Sequence, residues 1–242
     1  MTRSGVVGDL EVPESSKIIS AVEFSRNANK LSCEQFRANL VSCINNVTNS
    51  YNINRITEAC GCFTLWPEIR IPYLDRQIVI NLQSYEYHYD DKLDEKPPAS
   101  VIVPVLFYLE NNKRSYVSGK WVNYAQLKSG LFYSKTIRPH VIEPLIEHFR
   151  VNPDELMDTL FSLRGAKEPF KDFAFSLRPL PKLPILIIGR YPDDEFNFDI
   201  NVLFDETASE HLSIDNIKTL TVALRVDIIA RHIRLKNNHE NS

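Results

Sequence analysis

Apolar positions along this 242-residue chain switch between two periods, and the switches divide it into helical and extended segments. Spacings of three and four predict helices over Ile18–Arg26 and Leu31–Val47. In the second, Leu31, Phe36, Leu40, Cys43, Ile44 and Val47 make one apolar stripe, which places Cys43 in the core. From Cys60 to Tyr89 the period is two. Ile69 and Ile71 flank Arg70, Ile78, Ile80 and Leu82 alternate with Val79 and Asn81, and Pro72–Asp75 reads as the hairpin connection. After the charged loop Asp90–Pro98, Ala99–Glu110 reads as an apolar helix kinked at Pro104. Asn111–Gly130 is irregular. Ile137, Val141, Leu145 and Phe149 then recur every four residues in a helix over Lys135–Arg150.

The next helix carries a start signal: Asn152 as N-cap, Pro153 as first residue, Glu155 closing a capping box, and Val151 with Leu156 as a staple. It is expected to reach Leu163 and stop near Gly165. Strands follow. Phe173, Phe175 and Leu177 share a face, and the prolines of Arg178–Pro184 predict a stiff extended crossing. Leu183–Arg190 is apolar at both parities, as in a strand covered on both faces. Tyr191–Glu195 turns the chain into Phe196–Asp205, where Phe196, Phe198, Ile200, Val202 and Phe204 share a face. Ser213 caps a last helix, stapled by Leu212 and Ile217, that reaches Arg234 before a polar tail. The pattern predicts an α+β fold of antiparallel meanders with helices packed on one side. The expected organisation is an N-terminal helical arm over residues 1–50, a single α+β domain over 51–236 and a polar tail over 237–242.

Composition narrows the function classes. With 7 glycines against 14 prolines, the chain is poorly equipped for phosphate-cradling loops, which need backbone without a Cβ. A net charge of −3 gives no electrostatic case for nucleic acid. No run approaches the roughly 18 apolar residues of a membrane span, and the N-terminus lacks an apolar core of signal-peptide length. A cytoplasmic protein with reduced thiols at Cys33, Cys43, Cys60 and Cys62 is therefore expected. Cys60 and Cys62 are expected on one strand face, and the four spacings match no paired-cysteine zinc pattern.

Two places offer chemistry. Six carboxylates lie between Asp193 and Glu206, but the strand rise sets Asp199 and Asp205 roughly 20 Å apart. The workable metal cluster is Asp193, Asp194 and Glu195 in the turn, with Asp199 across the hairpin; the competing reading is a solvated hairpin tip, with Asp205 capping a short helix. The second place is the loop bearing Arg114, Tyr116, Lys120, Trp121 and Tyr124. Lys120, Trp121 and Tyr124 are its candidate ligand-binding residues, able to hold an anionic planar ligand by charge and stacking; the competing reading has Trp121 plugging the core. His140 and His148 share one helix, their relative facing left open by Pro144. No motif for nucleophilic hydrolysis occurs, and no residue is assigned as catalytic.

Between Val103 and Ile229, the pieces VLFYL (Val105–Leu109), SGKWVNYAQLKSGLFY (Ser118–Tyr133), IEHF (Ile146–Phe149), LPKLPILII (Leu180–Ile188), DDEFNFDINVLFD (Asp193–Asp205) and HLSIDNIKTL (His211–Leu220) follow in order. In these the chain resembles the uncharacterised prokaryotic domain-of-unknown-function family DUF3786. The resemblance implies a protein of anaerobic bacteria or archaea, from a family in which some members look fused to an iron–sulfur domain of the corrinoid-protein type. It implies an accessory role near corrinoid or iron–sulfur metabolism; together with the lack of a catalytic motif, the expectation is a non-catalytic binding or accessory protein serving a corrinoid or iron–sulfur protein. This chain departs from that pattern in having no cysteine-rich segment before the domain and in carrying the unmatched arm. The alternative expectation is a metal-dependent enzyme using the acidic turn at Asp193–Glu195.

Overall fold

A computed structural model describes residues 31–48, 53–111, 115–170 and 172–240. The expected helix Ile18–Arg26 lies outside them. The architecture is α+β, with helices and two antiparallel sheets.

The first sheet follows α1 (Cys33–Thr48) and α2 (Ile53–Cys60). It is a meander of β1 (Phe63–Leu65), β2 (Glu68–Tyr73), β3 (Arg76–Asn81) and β4 (Tyr87–Tyr89), in that order. Ile69 pairs with Ile80 and Ile71 with Ile78, so the alternation of the sequence becomes one buried face. The period of two does not start at Cys60. That residue ends α2, whose Ile53, Ile56, Thr57 and Cys60 recur at helical spacing, and Gly61 turns the chain out at φ 69°. Cys60 and Cys62 therefore do not share a strand face. The stripe of α1, Cys43 included, packs into the common core, so the described part of the arm belongs to the body of the protein. α3 (Ala99–Asn111) is buried at every residue from Val101 to Leu109, as a helix apolar on all sides must be.

The second sheet contains the expected meander of β7 (Phe173–Leu180), β8 (Leu183–Arg190) and β9 (Asp199–Asp205), broadened by β5 (Trp121–Val122) beside β9 and β6 (Ala166–Lys167) beside β7. β5 corrects the reading of 111–130 as wholly irregular. The proline-rich crossing is also corrected. Arg178 and Pro179 stay within β7, past a register irregularity between Leu177 and Leu180, and the chain turns tightly at Pro181–Lys182. β8 is buried on both faces as expected. β9 starts at Asp199 and not at Phe196, because the Asp193 amide donates to the Phe196 carbonyl (2.9 Å) and keeps that residue in the turn. The two sheets meet where the Leu74 amide donates to the Arg178 carbonyl.

The predicted helix 135–150 is three segments: α4 (Ser134–Ile137), a π-turn Arg138–Ile142, and α5 (Glu143–Phe149). Pro144 has no N–H for the His140 carbonyl and would crowd it. The Glu143 amide instead reaches back five residues to the Arg138 carbonyl. Ile137, Val141, Leu145 and Phe149 are buried together as their spacing predicts.

α6 (Asp154–Ser162) begins differently from the expected cap. Pro153 is the N-cap, Val151 is 90% exposed and staples nothing, and the Glu155 carboxylate turns to α8. α7 (Ala208–His211) is a single turn. α8 (Ile214–Glu240) starts as predicted, with the Asn216 amide donating to Ser213 Oγ and Leu212 and Ile217 both buried. It continues past Arg234 to Glu240, because His232 and Lys236 bind Glu155 of α6 and hold the helix to the body. No helix among the described residues is long and apolar enough to cross a membrane.

Candidate functional site

The acidic hairpin forms one wall of a cleft. Asp193 closes its own turn, its Oδ1 accepting the amides of Glu195 (3.0 Å) and Phe196 (2.8 Å). Those two amides, and then Arg190, hold its carboxyl below the usual range. Arg190, the last residue of β8, reaches Asp193 at 3.5 Å and lays its guanidinium over the Phe196 ring, 3.9 Å from the centroid. Phe196 remains 50% exposed. The root of the hairpin is anchored: the Tyr191 amide donates to Asp172, its hydroxyl donates to Asp154, and its ring meets Phe173 edge-on. The bond to Asp154, aided by burial, pushes the Tyr191 hydroxyl up to about 12.

The facing wall is the π-turn and α5. Arg138 joins the walls, with Glu143 at 3.5 Å on its own helix and Asp199 at 3.6 Å on β9. Between them lies a cleft of about 520 Å³ with an apolar floor of Ile146 and Phe198 and a rim that includes Arg138, Arg150, Arg190, Glu143, Glu147 and Asn197. This size suits a small molecule. The π-turn matters to the shape, since an inserted residue re-aims the side chains that precede it.

The sequence candidates are placed unequally around this cleft. Asp199 lines it, and Asp193, Asp194 and Glu195 sit in its hairpin wall. Asp193 is committed to its turn and Asp199 to Arg138. Among the described residues no group of three His, Cys, Asp or Glu side chains is placed to hold a metal ion. Lys120, Trp121 and Tyr124 lie elsewhere. Lys120 is exposed and pairs with Glu206 at 2.8 Å, Trp121 is half-buried on β5, and Tyr124 is buried, its hydroxyl donating to the Ile214 carbonyl and its ring edge-on to Phe204. Asp205 is fully buried. Cys43, Cys60 and Cys62 are core groups: burial pushes the thiols of Cys43 and Cys60 up to about 12 and raises Cys62 as well, so none of these three is a thiolate near neutrality.

Sequence reading missed Arg138, Arg150, Arg190 and Phe196. Arginines on a polar helix face and at a strand end carry no local signal; only the crossing of the two elements joins them. It also missed a clasp of three helices. His148 Nε2 lies 2.8 Å from His232 Nδ1, His232 Nε2 lies 2.7 Å from Glu155 Oε2, and Lys236 reaches the same oxygen at 3.1 Å. Burial first, then His232 and Lys236, lower the His148 pKa, with Glu155 partly opposing them.

The chain matches the family model described as "Domain of unknown function (DUF3786)" over residues 52–225. It belongs to that family. The DUF3786 match contains every residue of the cleft and ends before His232 and Lys236. No curated protein and no solved structure matches the chain.

The clasp is expected to make this DUF3786 protein acid-sensitive. As pH falls, the unfolded imidazole protonates near 6.5 while folded His148 still resists, so the unfolded state takes up the proton first. Stability is therefore held above that value and declines below it. Thermal melts between pH 8 and 5 should show a fall beginning near 6.5 that is shallower in His148→Gln; identical slopes in the two proteins would remove the clasp as its source.

Proposed function

We propose that this DUF3786 domain is a non-catalytic binding or accessory protein whose ligand site is the cleft between α5 and the β8–β9 hairpin. The observation that carries the reading is Phe196. It is a half-exposed aromatic ring held by a guanidinium at the rim of a cleft where arginines from two separate elements converge. An apolar floor with a few convergent polar groups is the usual construction of a small-molecule site. A corrinoid or iron–sulfur protein of an anaerobe as physiological partner is part of the proposal; its support is the family resemblance.

Native mass spectrometry of the protein purified without oxygen from an anaerobic host tests the reading. A small-molecule adduct should accompany the wild type and be lost from a Phe196→Ala, Arg150→Gln double variant. An adduct retained equally by both would place the ligand elsewhere. In a parallel pull-down, a corrinoid or iron–sulfur protein should be recovered; its absence would count against the partner assignment alone.

A further inference from the structure

We propose that the cleft takes a planar aromatic ring carrying a single anionic group, in preference to a polyphosphate. The inference rests on the cleft being a ligand site. Three observations give the ligand its chemistry.

The first is charge balance. The guanidiniums of Arg138, Arg150 and Arg190 share the cleft with the carboxylates of Glu143, Glu147 and Asp199. Arg138 already pairs with Glu143 and Asp199, and Arg190 with Asp193. Arg150 has no ion pair among the described residues, and neither has Glu147 three residues before it, so the cleft offers one unengaged guanidinium to one acid group and no excess of positive charge for more. Each further negative charge on a ligand would face the carboxylates of the same rim. The second is the Phe196 ring. Arg190 covers one of its faces, yet the ring stays 50% exposed, which leaves aromatic surface on which a ligand ring can stack. The third is the floor of Ile146 and Phe198, which matches a ring body and offers nothing to a chain of phosphates.

The full chain is titrated calorimetrically, and its amide resonances are followed, with four probes: naphthoate, neutral naphthol, cyclohexanecarboxylate and ADP. Naphthoate should bind at least about tenfold more tightly than the other three, as expected for one charge-assisted contact and one stacking contact acting together. Arg150→Gln and Phe196→Leu should each weaken it by about tenfold. Both side chains are exposed, so neither variant threatens the fold. ADP binding more tightly than naphthoate, or cyclohexanecarboxylate binding as tightly, would overturn the ligand class and leave the cleft a ligand site. If no probe shifted the amides of Ile146, Arg150, Asn197 and Phe198, the reading of the cleft itself would fall, and this inference with it.

Discussion

Replacing Asp205 with alanine is expected to destabilise the protein by about 3 kcal/mol, since the donors of Ser118, Gly119 and Thr207 then lose a fully buried charged acceptor together. The side chain is fully buried at the end of β9. Its oxygens accept the Gly119 amide at 2.7 Å, the Thr207 amide at 3.0 Å and hydroxyl at 2.6 Å, and the Ser118 amide at 3.2 Å and hydroxyl at 3.2 and 3.3 Å. Burial alone would raise the Asp205 carboxyl. The bonds from Thr207, Ser118 and Gly119 outweigh that and hold it below the usual carboxylate range. One carboxylate thus starts the turn into α7 and fixes the loop that leads into β5. Asparagine keeps the shape but turns an N–H₂ toward some of these donors, so Asp205→Asn should cost about half as much. Chemical denaturation of the three proteins checks the order. An alanine variant within about 1 kcal/mol of the wild type would show that water replaces the carboxylate at little cost. Because the folded carboxyl is the more acidic, its contribution is complete above the unfolded value near 3.9 and is lost as pH falls through the lower folded one.

Gly189 is the second sensitive position. It pairs with Phe173 across the β7–β8 ladder, and the Phe173 ring lies directly over it. A Cβ at this site would fall 1.8 Å from Phe173 Cζ, with the two Cε atoms at 2.3 and 2.4 Å. The ring has little room to retreat, being 1% exposed and met edge-on by Tyr191 at 5.5 Å. Gly189→Ala should therefore cost about 2–3 kcal/mol and Gly189→Val more, as overpacking in a closed core does. The change also reaches the cleft, because Gly189 is followed by Arg190 and Tyr191 roots the hairpin. Pairing the substitution with Phe173→Leu should restore part of the stability, which a double-mutant cycle by denaturant titration measures. Additive costs would show that ring and methyl group do not collide.

Much of the fold was legible because it follows from period and punctuation. The alternation at Ile69, Ile71, Ile78 and Ile80 and the Ser213 cap are local patterns that became the expected elements, and the four-residue recurrence from Ile137 to Phe149 became the expected buried face, although its helix is divided by the π-turn ahead of Pro144. The failures occurred where a distant partner overruled a local signal. Asn152, Pro153 and Glu155 spell a capping box, but His232 and Lys236 claim the Glu155 carboxylate and Pro153 takes the cap. The prolines of Arg178–Pro184 suggested an extended crossing, yet strand pairing with β8 absorbs Pro179 and leaves the turn to Pro181 and Lys182.

The cleft shows the same division. The acidic stretch from Asp193 to Glu206 announced itself in the sequence as a dense group of carboxylates. Strand rise alone was enough to separate Asp205 from the turn. Sequence by itself determined that a hairpin forms here and which face of β9 is apolar, because side-chain alternation is a property of one strand. Tertiary structure decided that Asp193 serves its own turn, that Asp199 answers Arg138 across the cleft, and that Phe196 stays half-exposed under Arg190. Those contacts join residues on different elements, and the energies that select them arise only once the elements have packed.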